Sequence, residues 1–129
     1  MPREVVKSAD CAPTPDFFSQ AVKVNGMVFV SGQLSRNAAG TIIGKGDMAA
    51  QTRQVIANLQ SVLRAAGGDL RHIVKLTAFM TDMSRAPEAW AVRSEFFAGH
   101  PPASTGVQVQ RLTHPDFMIE MEAIAVIDE

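Results

Sequence analysis

An α+β fold, with two helices laid on one face of a largely antiparallel, mixed sheet, is what this sequence predicts. Three observations carry that reading. Runs of alternating polar and apolar residues recur near both ends of the 129-residue chain, and a period of two belongs to strands. Between them stand two longer segments whose apolar residues recur at helical spacing. The resulting order is three strands, a helix, a strand, a helix and two strands, which is not the regular alternation of a parallel α/β sheet. At this length one domain, 1–129, can bury a core of its own without staples.

The elements follow in order. Val5-Val6 is a short β-prone patch, after which Ala12-Pro13-Thr14-Pro15 keeps the chain extended and unpaired. Gln20 to Val24 and Met27 to Ser31 read as strands on either side of Asn25-Gly26, a hairpin turn because both residues tolerate positive φ. The second of these strands ends at Ser31-Gly32-Gln33, where the glycine permits close approach by a neighbour or a ligand. Leu34 to Gly46 is a loop, with a short strand conceivable at Thr41-Ile42-Ile43. Asp47 is a good N-cap for a helix running to about Ala66, and Gly67-Gly68 supplies its left-handed stop. Met48, Thr52, Val55, Leu59, Val62, Leu63 and Ala66 form its apolar stripe. Ile73 to Met80 alternates as a strand, and a second helix spans about Ala86 to Ala98, with Pro87 tolerated in its first turn.

The last stretch organises the rest. Ser104 to Val109 alternates, with Thr105 and Val107 on one face and Ser104, Gly106 and Gln108 on the other. His114-Pro115-Asp116 breaks the pattern, since proline has no N–H to give. From Met118 to Val126, Ile119, Met121, Ala123 and Ala125 share one face and Glu120, Glu122, Ile124 and Val126 the other. Two acids two residues apart on a strand lie about 7 Å from each other on one side. In so apolar a run, an acid is costly to desolvate unless it is solvated or paired. Glu120 and Glu122 therefore mark either a solvated, salt-bridged face or, with Glu120 the better candidate, the mouth of a cleft. Val22, Val24, Val28, Val30, Val107, Val109, Met121 and Ala123 leave apolar residues for both faces of the sheet. A closed homo-oligomer is expected to cover the surplus.

Composition excludes several classes. A net charge of −1, with acids and bases spread along the chain, argues against a surface that tracks phosphates. A ribonuclease or other nucleic-acid partner is therefore not expected. The single cysteine, Cys11, allows no intrachain disulfide and has no local base to activate it. No apolar run reaches membrane length and no apolar signal core stands at the start, so a cytoplasmic setting and no membrane partner are expected. His72, His100 and His114 have no metal-ligand spacing, so no metal is expected. Gly40, Gly44 and Gly46 do not follow the Walker spacing. No cofactor is expected. Trp90 is either a core residue of the second helix, the commoner role, or the aromatic wall of a pocket.

What remains is Glu120 with small and polar neighbours: Ser31, Gly32 and Gln33 from one strand end, and Ser104, Thr105 and Gly106 from another. A carboxylate in such company can orient a water for addition to a carbon–nitrogen double bond.

At these residues the chain resembles the RidA/YjgF family of imine and enamine deaminases. The likeness rests on Ser19-Gln20-Ala21-Val22, Val28-Phe29-Val30-Ser31-Gly32-Gln33, Gln51 to Val55 with Asn58-Leu59, Val74-Lys75, and Ile119 to Ala125. It implies a chorismate-mutase-like fold and a homotrimer whose sheets form an inner barrel, with a small-molecule cleft at each subunit interface. It also implies Glu120 as the catalytic group, Ser31 and Gly32 as hydrogen-bonding groups, and Phe18, Gln33, Trp90, Ser104, Thr105 and Gly106 as the pocket.

The departures from the family pattern are specific. Members that deaminate small imino acids read Pro-Ala-Arg-Ser, where the arginine clamps the substrate carboxylate; here the text is Pro102-Ala103-Ser104-Thr105. Phe18 stands for a tyrosine, Trp90 for an asparagine and Gly106 for a cysteine. A serine cannot reproduce a bidentate guanidinium contact. The usual 2-iminopropanoate and 2-aminoacrylate substrates are therefore not expected, and a neutral or bulkier imine or enamine fits better. Arg36 and Arg93 are the candidates for a replacement cation. The competing expectation is a trimer that binds a metabolite or a protein without turning anything over.

Overall fold

The computed structural model describes residues 2–127. Its elements, in chain order, are Glu4–Val6 (β1), Ala21–Val24 (β2), Met27–Gln33 (β3), Met48–Ala65 (α1), Ile73–Met80 (β4), Ala86–Phe97 (α2), Ala103–Gln108 (β5) and Ile119–Val126 (β6). Single 3-10 turns at Leu70–His72 and Met83–Arg85 precede β4 and α2. The six strands form one mixed sheet in the order β1-β2-β3-β6-β4-β5. Every pairing among the described residues is antiparallel except β4 with β5. The two strand runs of the last stretch are thus not a hairpin. α2 returns the chain alongside β4 to make a parallel edge strand, and the His114-Pro115 segment then carries it past β4 into the centre.

Local chemistry sets the boundaries. Asn25 and Gly26 take φ of 53° and 77°, and Val24 pairs with Met27 across the turn, as a two-residue hairpin requires. Asp47 caps α1 by accepting a hydrogen bond from the Ala50 amide at 3.0 Å. At the other end Gly67 takes φ of 94°, and the Gly68 amide donates back to the Leu63 carbonyl at 2.8 Å. Thr41-Ile42-Ile43 contributes no strand, only an isolated bridge between Arg36 and Ile42.

The helices cover one face of the sheet. Met48, Val55, Ile56, Leu59, Val62 and Leu63 of α1 are buried with Val28 and Val30 of β3, Leu76 and Ala78 of β4, and Ile119, Met121, Ala123 and Ala125 of β6. Met121 and Ala123, with Val28 and Val30, are therefore spent on this side. The helix-free face is built instead from Phe29, Ile124, Val126 and Val107, with Glu120 and Glu122 among them. Phe29 is 43% exposed and Val107 39%. The edge strand β5 is exposed along its whole length.

Two buried amides on α1 brace the loops. The Gln51 side chain donates to the carbonyls of Asp116 at 2.7 Å and Gly44 at 3.2 Å and accepts from the Met118 amide at 2.8 Å. Asn58 donates to the carbonyls of Leu34 at 2.9 Å and Arg36 at 3.0 Å. One amide thus holds the entry to β6 and the other the exit from β3, the two strand ends on which the candidate site stands.

Candidate active site

The site begins at a fault in the β3–β6 ladder. Val30 pairs with Ala123 but Gln33 with Met121, so β3 carries one residue more than its partner between these points. That bulge is Ser31-Gly32, and bulges re-aim side chains beside functional sites. Glu120 lies against it. A Cβ placed on Gly32 would overlap the Glu120 carboxylate oxygen Oε2 and stand 2.7 Å from its carboxyl carbon. Glycine is required here by proximity, because any side chain would expel the acid.

Ser31 is anchored twice: its amide donates to the Gln20 carbonyl at 2.9 Å and its hydroxyl to the Ser19 carbonyl at 2.6 Å. With its proton committed, the Ser31 oxygen is left to accept. Glu120 is half-buried and makes no salt bridge or side-chain hydrogen bond among the described residues. Burial, and secondarily the charge of Glu122, pushes its carboxyl above the ordinary glutamate value. The hollow it faces is lined by Phe18, Ser31, Gly32, Gln33, Arg36, Asn58 and Thr113, and walled by the extended segment Ala12-Pro13-Thr14-Pro15. Gln20 holds that wall in place, donating to the Ala12 carbonyl at 3.2 Å and bonding the backbone of Ser8 at both ends of its amide.

A second hollow lies between α2 and β5, lined by Trp90, Arg93, Phe97, Pro101, Pro102, Ser104 and Gly106. The strand register explains it. Ser104 and Gly106 pair with Leu76 and Ala78, both core residues, and so face the helix side. Trp90 is a wall and not a core residue: it is 38% exposed, and a Cβ on Gly106 would meet its ring at 3.1 Å. The Arg93 guanidinium lies 5.1 Å from the Trp90 ring centroid and donates to the Ser104 hydroxyl at 2.7 Å. Burial holds it below the ordinary arginine value.

The residues singled out from the sequence therefore fall into two groups. Glu120, Phe18, Ser31, Gly32, Gln33 and Arg36 share one hollow, and Trp90, Arg93, Ser104 and Gly106 the other. Thr105 lines neither. It sits on the helix-free side of β5, where its hydroxyl receives a hydrogen bond from Lys75 at 2.7 Å. The two hollows share no residue, and their strand residues point to opposite faces of the sheet, since Glu120 pairs with Phe79 and Ser104 with Leu76. Asn58, Thr113, Phe97 and Pro101 were not foreseen as lining. Only for the proline pair was there a local signal, as the stop of α2 beside the pocket strand.

Comparison with known proteins agrees with this architecture. The family model described as Endoribonuclease L-PSP matches residues 10–127. A RutC family protein of Pyrococcus abyssi is 40% identical over 126 residues, covering 97% of this chain and 98% of its own. The 2-iminobutanoate/2-iminopropanoate deaminase of Rattus norvegicus is 32% identical over 124 residues, covering 96% of this chain and 90% of its own. The crystal structure of the YjgF gene product of E. coli superposes with a TM-score of 0.87 at 33% identity, over 95% of this chain and 98% of that one. With its mixed sheet, its two helices on one face and a match over nearly its whole length, the chain belongs to the RidA/YjgF family.

Proposed function

We propose that this protein hydrolyses the carbon–nitrogen double bond of an imine, or of an enamine through its imine tautomer, with Glu120 as the acid–base group. The single observation that carries the reading is the placement of Glu120: a half-buried carboxylate, without an ion pair among the described residues, packed against the Ser31-Gly32 bulge in an open hollow. Such a group is a general base whose raised pKa brings it nearer neutrality. As water adds to the imine carbon, its proton passes to Glu120, the C–O bond forms, and the π pair moves to nitrogen, which takes that proton on from Glu120 and leaves the carboxylate ionised again. In the second half the carbinolamine O–H proton travels through Glu120 to nitrogen, the C–N bond breaks and ammonia leaves. One imine and one water give one carbonyl compound and one ammonia. The Ser31 oxygen is free to accept from the attacking water or from the substrate N–H.

In this reading the chain works as a homotrimer in a cytoplasmic setting, and each active site is a cleft between two copies. The Glu120 hollow of one copy faces the Trp90–Ser104 hollow of the next. Support comes from the opposed faces of the two hollows within one chain, from the exposed edge strand β5 and from the exposed Phe29 and Val107. Open edges and apolar faces of this kind call for a covering partner. With Ser104 where small-acid deaminases carry arginine, the substrate is not 2-iminopropanoate or 2-aminoacrylate but something bulkier, received by the apolar wall of Trp90, Phe97 and Pro101.

The test is ammonia release from a freshly generated panel of imines, 2-iminopropanoate included, by wild type and Glu120→Gln. Turnover of a bulkier imine that drops at least a hundredfold in the variant is expected. Equal rates in the two proteins would remove Glu120 from the chemistry. Binding without turnover across the panel would leave a metabolite-binding trimer as the better description.

A further inference from the structure

We propose that Arg93, together with the Ser104 hydroxyl, is the anchor for a carboxylate on the substrate, so that the substrate class is an imino acid with a bulky apolar substituent. The inference rests on the reading of the cleft above and supplies what that reading lacks, a group that recognises charge.

Arg93 is the half-buried cation of the second hollow. Three arginines of the described residues, Arg53, Arg64 and Arg85, each form a salt bridge with a glutamate or aspartate; Arg93 forms none among the described residues. A guanidinium has five N–H donors, and a single side-chain hydrogen bond, to Ser104, is formed here. The Trp90 face shields it from one direction, and Phe97, Pro101 and Pro102 line the hollow around it. Partly desolvated positive charge without a counter-ion is unfavourable until an anion arrives. The arrangement at Ser104 suits one. Its oxygen already accepts from Arg93, so its own proton is free to donate to the same carboxylate.

The geometry also sets the size of the ligand. The charge comes from α2, not from β5, so strand position 104 keeps only a small side chain. The Trp90 ring packs directly over Gly106, where a Cβ would meet it at 3.1 Å, and with Phe97 and Pro101 it forms an apolar wall to the hollow beside Arg93. A three-carbon acid held by Arg93 would leave this apolar wall unused. An acid with an aryl or branched alkyl substituent would cover it.

Calorimetric binding of two product-like 2-oxo acids tests the anchor without chemistry: 2-oxo-3-phenylpropanoate and pyruvate, each against its neutral amide. Wild type is expected to bind the phenyl acid more tightly than pyruvate and at least tenfold more tightly than the phenyl amide. Arg93→Gln should lose that preference for the acid, with a ten- to hundredfold weaker Kd for the acid and little change for the amide. Arg93→Lys, which keeps the charge and the stem, should retain part of it, and Ser104→Ala should show a smaller loss. In turnover, Arg93→Gln should raise KM for the phenyl imino acid with kcat largely kept, whereas Glu120→Gln should lower kcat and leave the acid's Kd in place. Acid and amide binding equally to wild type, or Arg93→Gln keeping the full preference while sedimenting like wild type, would overturn the anchor. Loss of the effect of Glu120→Gln on kcat, with the Arg93 results intact, would overturn the catalytic reading instead.

Discussion

Glu120 is governed by one local fact: its carboxylate sits where Gly32 leaves room, and no cation among the described residues is bonded to it. Burial raises its pKa from the ordinary value of 4.5, and the sign of the consequences follows. Below 4.5 the group is protonated in both folded and unfolded chains and contributes nothing to the pH slope. Between 4.5 and the raised value the folded chain holds more protons than the unfolded one, so stability falls as pH rises through that window. Glu120→Gln should remove this slope, so the difference in thermal midpoint between variant and wild type should grow with pH and then level off. On the proposed mechanism Glu120 acts as base and must be ionised, so kcat/KM should fall on the acid side with a midpoint above that of an ordinary glutamate. A midpoint at or below 4.5 would show that the burial seen around this side chain does not govern its proton. The contrast with Arg93 is instructive. Both groups are half-buried and have no counter-ion among the described residues, but Arg93 already donates to the Ser104 hydroxyl while Glu120 has no side-chain hydrogen bond there.

At the level of elements, α1 is the brace on which the strand ends of the candidate site are hung. Its apolar stripe packs the sheet, but the functional positions depend on two polar residues that the stripe encloses. Asn58 donates to the Leu34 and Arg36 carbonyls, and Gln51 ties Gly44, Asp116 and Met118 together. A buried carbonyl that loses its donor costs about 1–3 kcal/mol. Asn58→Ala should therefore lower the unfolding free energy by an amount in that range, read as a lower urea midpoint with an unchanged slope, and it should also reduce turnover because the bulge at Ser31-Gly32 loses its downstream support. A variant as stable as wild type would mean that water replaces the amide without cost. α2 plays a different part. It buries Ala86, Ala89, Val92 and Phe97 while Trp90 and Arg93 stay at the rim beside β5.

At the scale of the whole molecule, an uncovered face and an open edge dominate. Phe29, Val107 and Val126 are exposed on the side of the sheet that no helix covers, and β5 offers its edge along its full length. Wild type should sediment as a trimer at micromolar concentration. Phe29→Glu places a charge in the middle of that face and should shift the protein toward monomer. If the proposed cleft is shared between copies, the same variant should abolish imine hydrolysis as well, because the two hollows separate although neither is altered. A wild type that sediments as a monomer would break the proposed cleft.

How much of this was legible beforehand follows from range. Hairpin, caps, helix stripe and the parity of Glu120 depend on residues within a few positions of one another, and the amino-acid order alone determined them: Asn25-Gly26 turns, Asp47 caps, and Glu120 faces away from Met121. Glu120 and the Ser31-Gly32 strand end could each be singled out, since a bare glycine after a strand and an acid in an apolar run are local anomalies; that they belong together was implied by the family resemblance. Strand order is another matter. That β4 lies between β5 and β6, that Asn58 reaches Leu34 from 24 positions away, and that Arg93 finds Ser104 while Thr105 turns to Lys75 were decided only by tertiary packing. A period of two records which face a residue takes, but not which strand comes to lie beside it. The division of the candidate site between two opposed faces is a property of that placement.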